Sequence, residues 1–103
     1  MAYSAVFSTT PSLETAKLIA GELVKSKAAA CVNIIPGVQS VYFWQDEVCR
    51  DEELILMIKT RDSKVEDVKK VILDNHPYDV PEIISVAIKD GHSDYLNWMS
   101  EVT

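Results

Sequence analysis

The chain has 103 residues, a one-domain length that buries a single core without metal or disulfide staples. Hydrophobic residues make up 48% and charged residues 25%, a balance that excludes a disordered chain. Sixteen acidic against ten basic side chains leave a formal charge of −6, which repels phosphate groups, so neither nucleic acid nor a membrane is an expected partner.

Residues 3–9 (YSAVFST) are β-branched and aromatic and predict a first strand. Pro11 and Ser12 give a helix start with Ser12 as N-cap, and Leu13, Ala16, Ile19 and Leu23 recur at helical spacing, predicting a helix over 13–27. A second strand follows over 31–44, interrupted at Pro36-Gly37, where a proline that cannot donate and a permissive glycine mark a bulge or an edge. Residues 45–51 read as a polar hairpin loop and 53–59 (ELILMIK) as the third strand. Ser63 and Glu66 form a capping-box pattern ahead of a helix over 64–75, which His76-Pro77-Tyr78 stops. A fourth strand over 82–89 and a short helix over 94–102 complete the chain.

Two β-α-β units predict an α+β fold of ferredoxin-like β-α-β-β-α-β type with an extra C-terminal helix, one domain over 1–103. One length does not fit inside a single subunit. A strand of about fourteen residues at roughly 3.3 Å each reaches about 45 Å, whereas a compact domain of this size is roughly 35 Å across. The hairpin is therefore expected to overhang its sheet and to carry Val41, Tyr42, Phe43 and Trp44 outward, an apolar ribbon that a second subunit would cover. An oligomer follows from that expectation.

No catalytic constellation emerges. Cys31 and Cys49 are the only cysteines and are placed too far apart to bond; their scarcity suits a reducing, cytoplasmic setting. No basic stretch precedes the first strand, so no secretory signal is expected. His76, at a helix end, reads as a cap for free carbonyls or as a ligand, and His92 as a solvated loop residue. The acidic residues Asp46, Glu47, Asp51, Glu52 and Glu53 read as a solvated hairpin tip, since the alternating oxygens and central glycine of a calcium loop are missing. Lys59, closing an apolar strand, reads as snorkelling to water or lining a cleft between subunits. Arg50 and Arg61 do not make the anion cradle of an acylphosphatase-like hydrolase. An RNA-recognition domain of the same topology would need a basic face.

Several segments taken together resemble the CutA family of divalent-cation tolerance proteins: Ala29-Ala30-Cys31-Val32-Asn33-Ile34-Ile35-Pro36, Ser40-Val41-Tyr42-Phe43-Trp44, Met57-Ile58-Lys59-Thr60, His76-Pro77-Tyr78-Asp79-Val80-Pro81-Glu82-Ile83 and Tyr95-Leu96-Asn97-Trp98. The resemblance spans essentially the whole chain. It implies a homotrimer packed through long hairpins, no enzymatic activity, and a role in tolerance of copper and other divalent metals. It also implies, as an alternative, an assembly protein whose trimer anchors a protein partner, and a small-ligand or signalling module is a further reading. Copper-binding members are associated with a cysteine at the end of the first strand and a histidine pair before the Pro-Tyr. Here Ser8 and Asn75-His76 stand at those places, so His76 is the one implied ligand retained; copper or another divalent cation is the implied metal, and copper is expected to bind weakly or not at all at His76. Cleft candidates are Lys59, His76, Tyr78 and Trp98. Val41, Tyr42, Phe43 and Trp44 are the trimer-interface candidates.

Overall fold

The computed structural model describes residues 1–103. Its elements are β1 (Tyr3–Thr10), α1 (Leu13–Lys25), β2 (Cys31–Trp44), β3 (Glu47–Arg61), α2 (Val65–Asn75), β4 (Ile84–Ile88) and α3 (Ser93–Val102). The strands make one antiparallel sheet in the order β2-β3-β1-β4. The architecture is α+β, with three helices on a four-stranded antiparallel sheet.

Helix α1 starts where the sequence places its cap: the Thr15 N–H donates to Ser12 Oγ at 3.1 Å. It ends two residues before the expected limit, because Lys27 turns into the left-handed region (φ 62°) and lets the N–H groups of Ala28 and Ala29 donate to Leu23 O. The capping box of α2 does not form. Asp62 is held against β1 by the Ser4 hydroxyl at 2.5 Å and by its own N–H to Ala2 O, so the chain enters α2 through a single 3-10 turn over Asp62–Lys64. Glu66, freed from the cap, pairs with Lys69 at 2.9 Å.

Both helices bury their apolar stripes on one face of the sheet. Ile19 and Leu23 of α1 and Val68 and Ile72 of α2 close over Val6, Leu56 and Ile58, all wholly buried. Because side chains alternate along a strand, the residues between these point to the opposite face. Helix α3 covers one end of that second face, where Met99 packs on Tyr3 and Ala30. The Tyr3 and Ser100 hydroxyls hydrogen-bond at 2.5 Å, and Arg61 donates to Thr103 Oγ1 at 2.9 Å. The rest of this face has no helix over it.

The hairpin departs from the expected loop. Its turn is only Gln45-Asp46, both left-handed (φ 49° and 65°), a two-residue geometry whose twist matches that of the flanking strands. β3 therefore begins at Glu47, six residues before the expected start at Glu53; Glu47, Asp51 and Glu52 are strand residues, and Glu53, grouped with the solvated tip in the sequence, is buried. The interruption at Pro36-Gly37 is a bulge: pairing steps from Ile35↔Ile55 to Val38↔Glu53, with Gly37 at φ 75°. β1 pairs with β3 only from Leu54 onward, so the hairpin beyond that register is a two-stranded ribbon with no third strand. The long axis of the chain is 44 Å, as that overhang requires. β4 is shorter than expected, since Glu82 and Ile83 belong to the incoming connection and Lys89 to the one that follows.

Truncating Leu56, wholly buried where β3 meets both helices, tests the core. Leu56→Ala should lower unfolding stability by about 2–5 kcal/mol in a denaturant titration, with the m-value unchanged.

Candidate functional site

Downstream of the bulge, Val38, Ser40, Tyr42 and Trp44 of β2 share the helix-free face with Glu53, Asp51, Cys49 and Glu47 of β3. The connection from α2 to β4 folds onto this face opposite the ribbon. Between them lies a cleft of about 700 Å³ lined by, among others, Tyr42, Trp44, Glu53, Tyr78, Val80 and Glu82. Its carboxylates come from Glu53, Asp79 and Glu82, and no lysine or arginine lines it.

His76 holds the connection in place. Its Nδ1 accepts from the Tyr78 N–H at 3.1 Å, which leaves Nε2 as the protonated nitrogen that donates to Thr9 O at 2.7 Å. The ring packs against Tyr78 with centroids 4.7 Å apart. The helix-end role expected for His76 is thus transferred: it caps a β1 carbonyl, while Asn75 Nδ2 donates back to Val71 O at 2.8 Å. Tyr78, so placed, donates from its hydroxyl to Glu53 Oε2 at 2.9 Å. Glu53 is only 5% exposed. On the ribbon, the Tyr42 hydroxyl donates to Asp51 Oδ2.

These contacts oppose ionisation of both phenols. Tyr42 is pushed up to about 12, chiefly by its hydrogen bond to Asp51. Tyr78 is raised further, first by burial and then by its hydrogen bond to Glu53.

The residues do not fit the copper ligand set that the resemblance implies. Both ring nitrogens of His76 are engaged by backbone, and the Asn75 amide is turned into its own helix. Ser8 Oγ is buried on the helix-covered side of β1 with no hydrogen-bond partner. A hard hydroxyl, a committed amide and a committed imidazole offer copper none of the thiolate or free imidazole donors it prefers. No group of three or more His, Cys, Asp or Glu side chains is arranged to hold a metal ion.

The cleft candidates fall into two places within one chain. His76 and Tyr78 border the acidic cleft, whereas Lys59 and Trp98 lie at the α3 end of the sheet. There Lys59 Nζ sits 5.9 Å from the centre of the Tyr95 ring, and Tyr95 packs on Trp98 with centroids 5.4 Å apart. The interface candidates Val41, Tyr42, Phe43 and Trp44 are all exposed on the ribbon, Phe43 at 69% and Val41 at 62%. Glu53 and Asp51 went unrecognised as site residues in the sequence, where they merged into an acidic run. Their place two and four residues before Ile55 on one strand face was the available signal.

A raised phenol favours the protonated folded state, so its contribution is complete below the ordinary tyrosine value near 10 and is lost as pH rises through the folded value. In an alkaline absorbance titration, Tyr42 and Tyr78 should therefore ionise late, and the step of partly buried Tyr78 should accompany unfolding. Tyr78→Phe should remove one late step and flatten the fall in stability above pH ~10.

No helix is long and apolar enough to cross a membrane. A family profile described as "CutA1 divalent ion tolerance protein" matches residues 4–102. Over 98 residues the chain is 46% identical to the divalent-cation tolerance protein CutA of Thermus thermophilus, covering 95% of each. It is 45% identical to the chloroplastic CutA 1 of Oryza sativa over 98 residues, which are 95% of this chain but 55% of that longer protein. Among solved structures, CutA1 of Oryza sativa superposes with a TM-score of 0.97 at 43% identity, covering 100% of this chain and 94% of that one. The divalent cation tolerance protein (Cut A1) of Thermus thermophilus gives 0.96 at 44% identity, with 98% of each covered. The chain belongs to the CutA1 divalent ion tolerance family.

Proposed function

We propose that this chain acts as a non-enzymatic homotrimer of ferredoxin-like subunits in the cellular response to divalent cations, and that its work is done at the surfaces between subunits. The observation that carries the reading is the two-stranded ribbon, which runs past the last β1 pairing with Val41, Tyr42, Phe43 and Trp44 exposed on its two faces. A two-stranded ribbon is marginal in water by itself, and an apolar one is an aggregation hazard unless another chain covers it. The relatives are named for tolerance of divalent cations and not for a reaction, which supports a role without catalysis. The two free cysteines suit a reducing, cytoplasmic setting.

A direct copper site at His76 is not part of the proposal, since its nitrogens hold Thr9 and Tyr78 in place. Metal tolerance then runs through ligands or partners of the assembled surfaces.

Two measurements test this. Sedimentation should give three times the chain mass; a monomer at micromolar concentration would overturn the trimer. Calorimetric titration with copper should give the same weak heats for the parent and for His76→Ala. Tight stoichiometric binding that disappears in His76→Ala would overturn the indirect role and make metal capture a function of the chain itself. A trimer that binds no metal and captures a defined protein would instead favour the reading as an anchor for a protein partner.

A further inference from the structure

Of the charged side chains on the helix-free face of β3, Glu47 and Asp51 are exposed to water and Arg61 donates to Thr103, whereas Glu53 and Lys59 are withdrawn from water without a counter-ion. Glu53 is 5% exposed, and its side-chain hydrogen bond comes from a neutral phenol, Tyr78. A carboxylate so far out of water is costly unless a cation meets it. Lys59 is half-buried, with Nζ 5.9 Å from the Tyr95 ring centre. The ion pairs of the chain are Lys64–Asp67, Lys69–Glu66 and His92–Asp94, so neither Glu53 nor Lys59 belongs to one.

The two cannot satisfy each other within one chain. They point to the same face of one strand, six positions apart, a separation of roughly 20 Å at the strand rise. Between them lie Ile55 and Met57, and across the register Phe7 pairs with Met57 and with Ile84. The face is thus an apolar strip with a buried acid at one end and a half-buried base at the other. Aromatic side chains flank each pole: Tyr42, Trp44 and Tyr78 around the acid, Tyr95 and Trp98 around the base. Head and tail are complementary in charge and alike in apolar character, which is the requirement for a head-to-tail contact, and such a contact gives a ring when the rotation between copies closes.

We propose that Lys59 of a second copy of this chain enters the acidic cleft and is the counter-ion of Glu53, so that each cleft is completed by its neighbour. This rests on the trimer reading and says which surfaces meet. The second copy is preferred over a free amine because the acidic cleft carries no cation of its own, while the chain presents a matching unpaired one on the same face. The separation of the His76–Tyr78 group from the Lys59–Trp98 group within one chain has the same resolution: the halves come together between chains.

The test is dissociation of the assembly, followed by sedimentation over a dilution series, for the parent, Glu53→Lys, Lys59→Glu and the variant carrying both exchanges. Each single reversal should raise the dissociation concentration by about tenfold or more, the scale of losing a buried charge pair. The double exchange should recover most of that loss, because Lys at 53 then meets Glu at 59 of the next copy. Residues some 20 Å apart within a chain have no such means of rescuing each other's folding. Glu53→Gln, close in shape, separates loss of charge from loss of packing and should weaken assembly without changing the far-ultraviolet spectrum. Single reversals that leave assembly unchanged, or a double variant no better than either single, would overturn the pairing while leaving the trimer standing. A monomeric parent would overturn both.

Discussion

The rest of the structure follows from a mismatch of lengths. β2 and β3 run for 14 and 15 residues, while β1, which pairs along β3, has 8. The first half of β3 therefore has hydrogen-bonding partners on one side only, and a two-stranded ribbon projects from the end of the sheet. A ribbon of this kind gains too little from its own pairing to carry exposed tyrosine, phenylalanine and tryptophan at no cost. The cleft at the base of the ribbon, the burial of Glu53 and the proposed assembly all trace to that overhang.

The cleft is held from the other side by a single imidazole. His76 joins the end of α2 to the last turn of β1 through Thr9 O and orients the Tyr78 N–H, which sets the phenol over Glu53. A residue whose two nitrogens have backbone duties is a spacer between elements. Ser8, one position before Thr9, points to the other side of the sheet, and its unpartnered hydroxyl lies among the helices. Alternation along one strand is enough to separate the two positions that a copper site would have to join.

Much of this was legible in the residues. Strand and helix periods placed β1, α1, β2 and α3 to within two residues, and Pro36-Gly37 announced its bulge. The reach of β2 alone predicted an overhang. The start of β3 was not legible, because Glu47, Arg50, Asp51 and Glu52 are strand residues of a ribbon wetted on both faces and carry none of the apolar alternation that marks a half-buried strand. The turn was hidden for a related reason: Gln45-Asp46 takes up a left-handed pair without the glycine that usually signals it. The Ser63–Glu66 pattern misled because a tertiary contact, Ser4 with Asp62, decided where α2 begins. Local patterns report local preferences, and the burial of Glu53 depends on Tyr78, which is distant in sequence.

The bulge has a meaning for how such a chain can change over time. By adding one residue to β2 between Ile35 and Val38, it reverses which parity of β2 faces the open side: Asn33 and Ile35 before it, Tyr42 and Trp44 after it. Pulled straight with its extra residue kept in regular alternation, the strand would exchange the two faces of the arm, sending Tyr42 and Trp44 to the side now held by Val41 and Phe43. Insertions and deletions in this arm are therefore quantised. Residues can be gained or lost at the turn one on each strand, which moves the tip by one residue rise and leaves the facing nearer the sheet unchanged, while the odd residue at Pro36-Gly37 acts as the parity switch of the subunit.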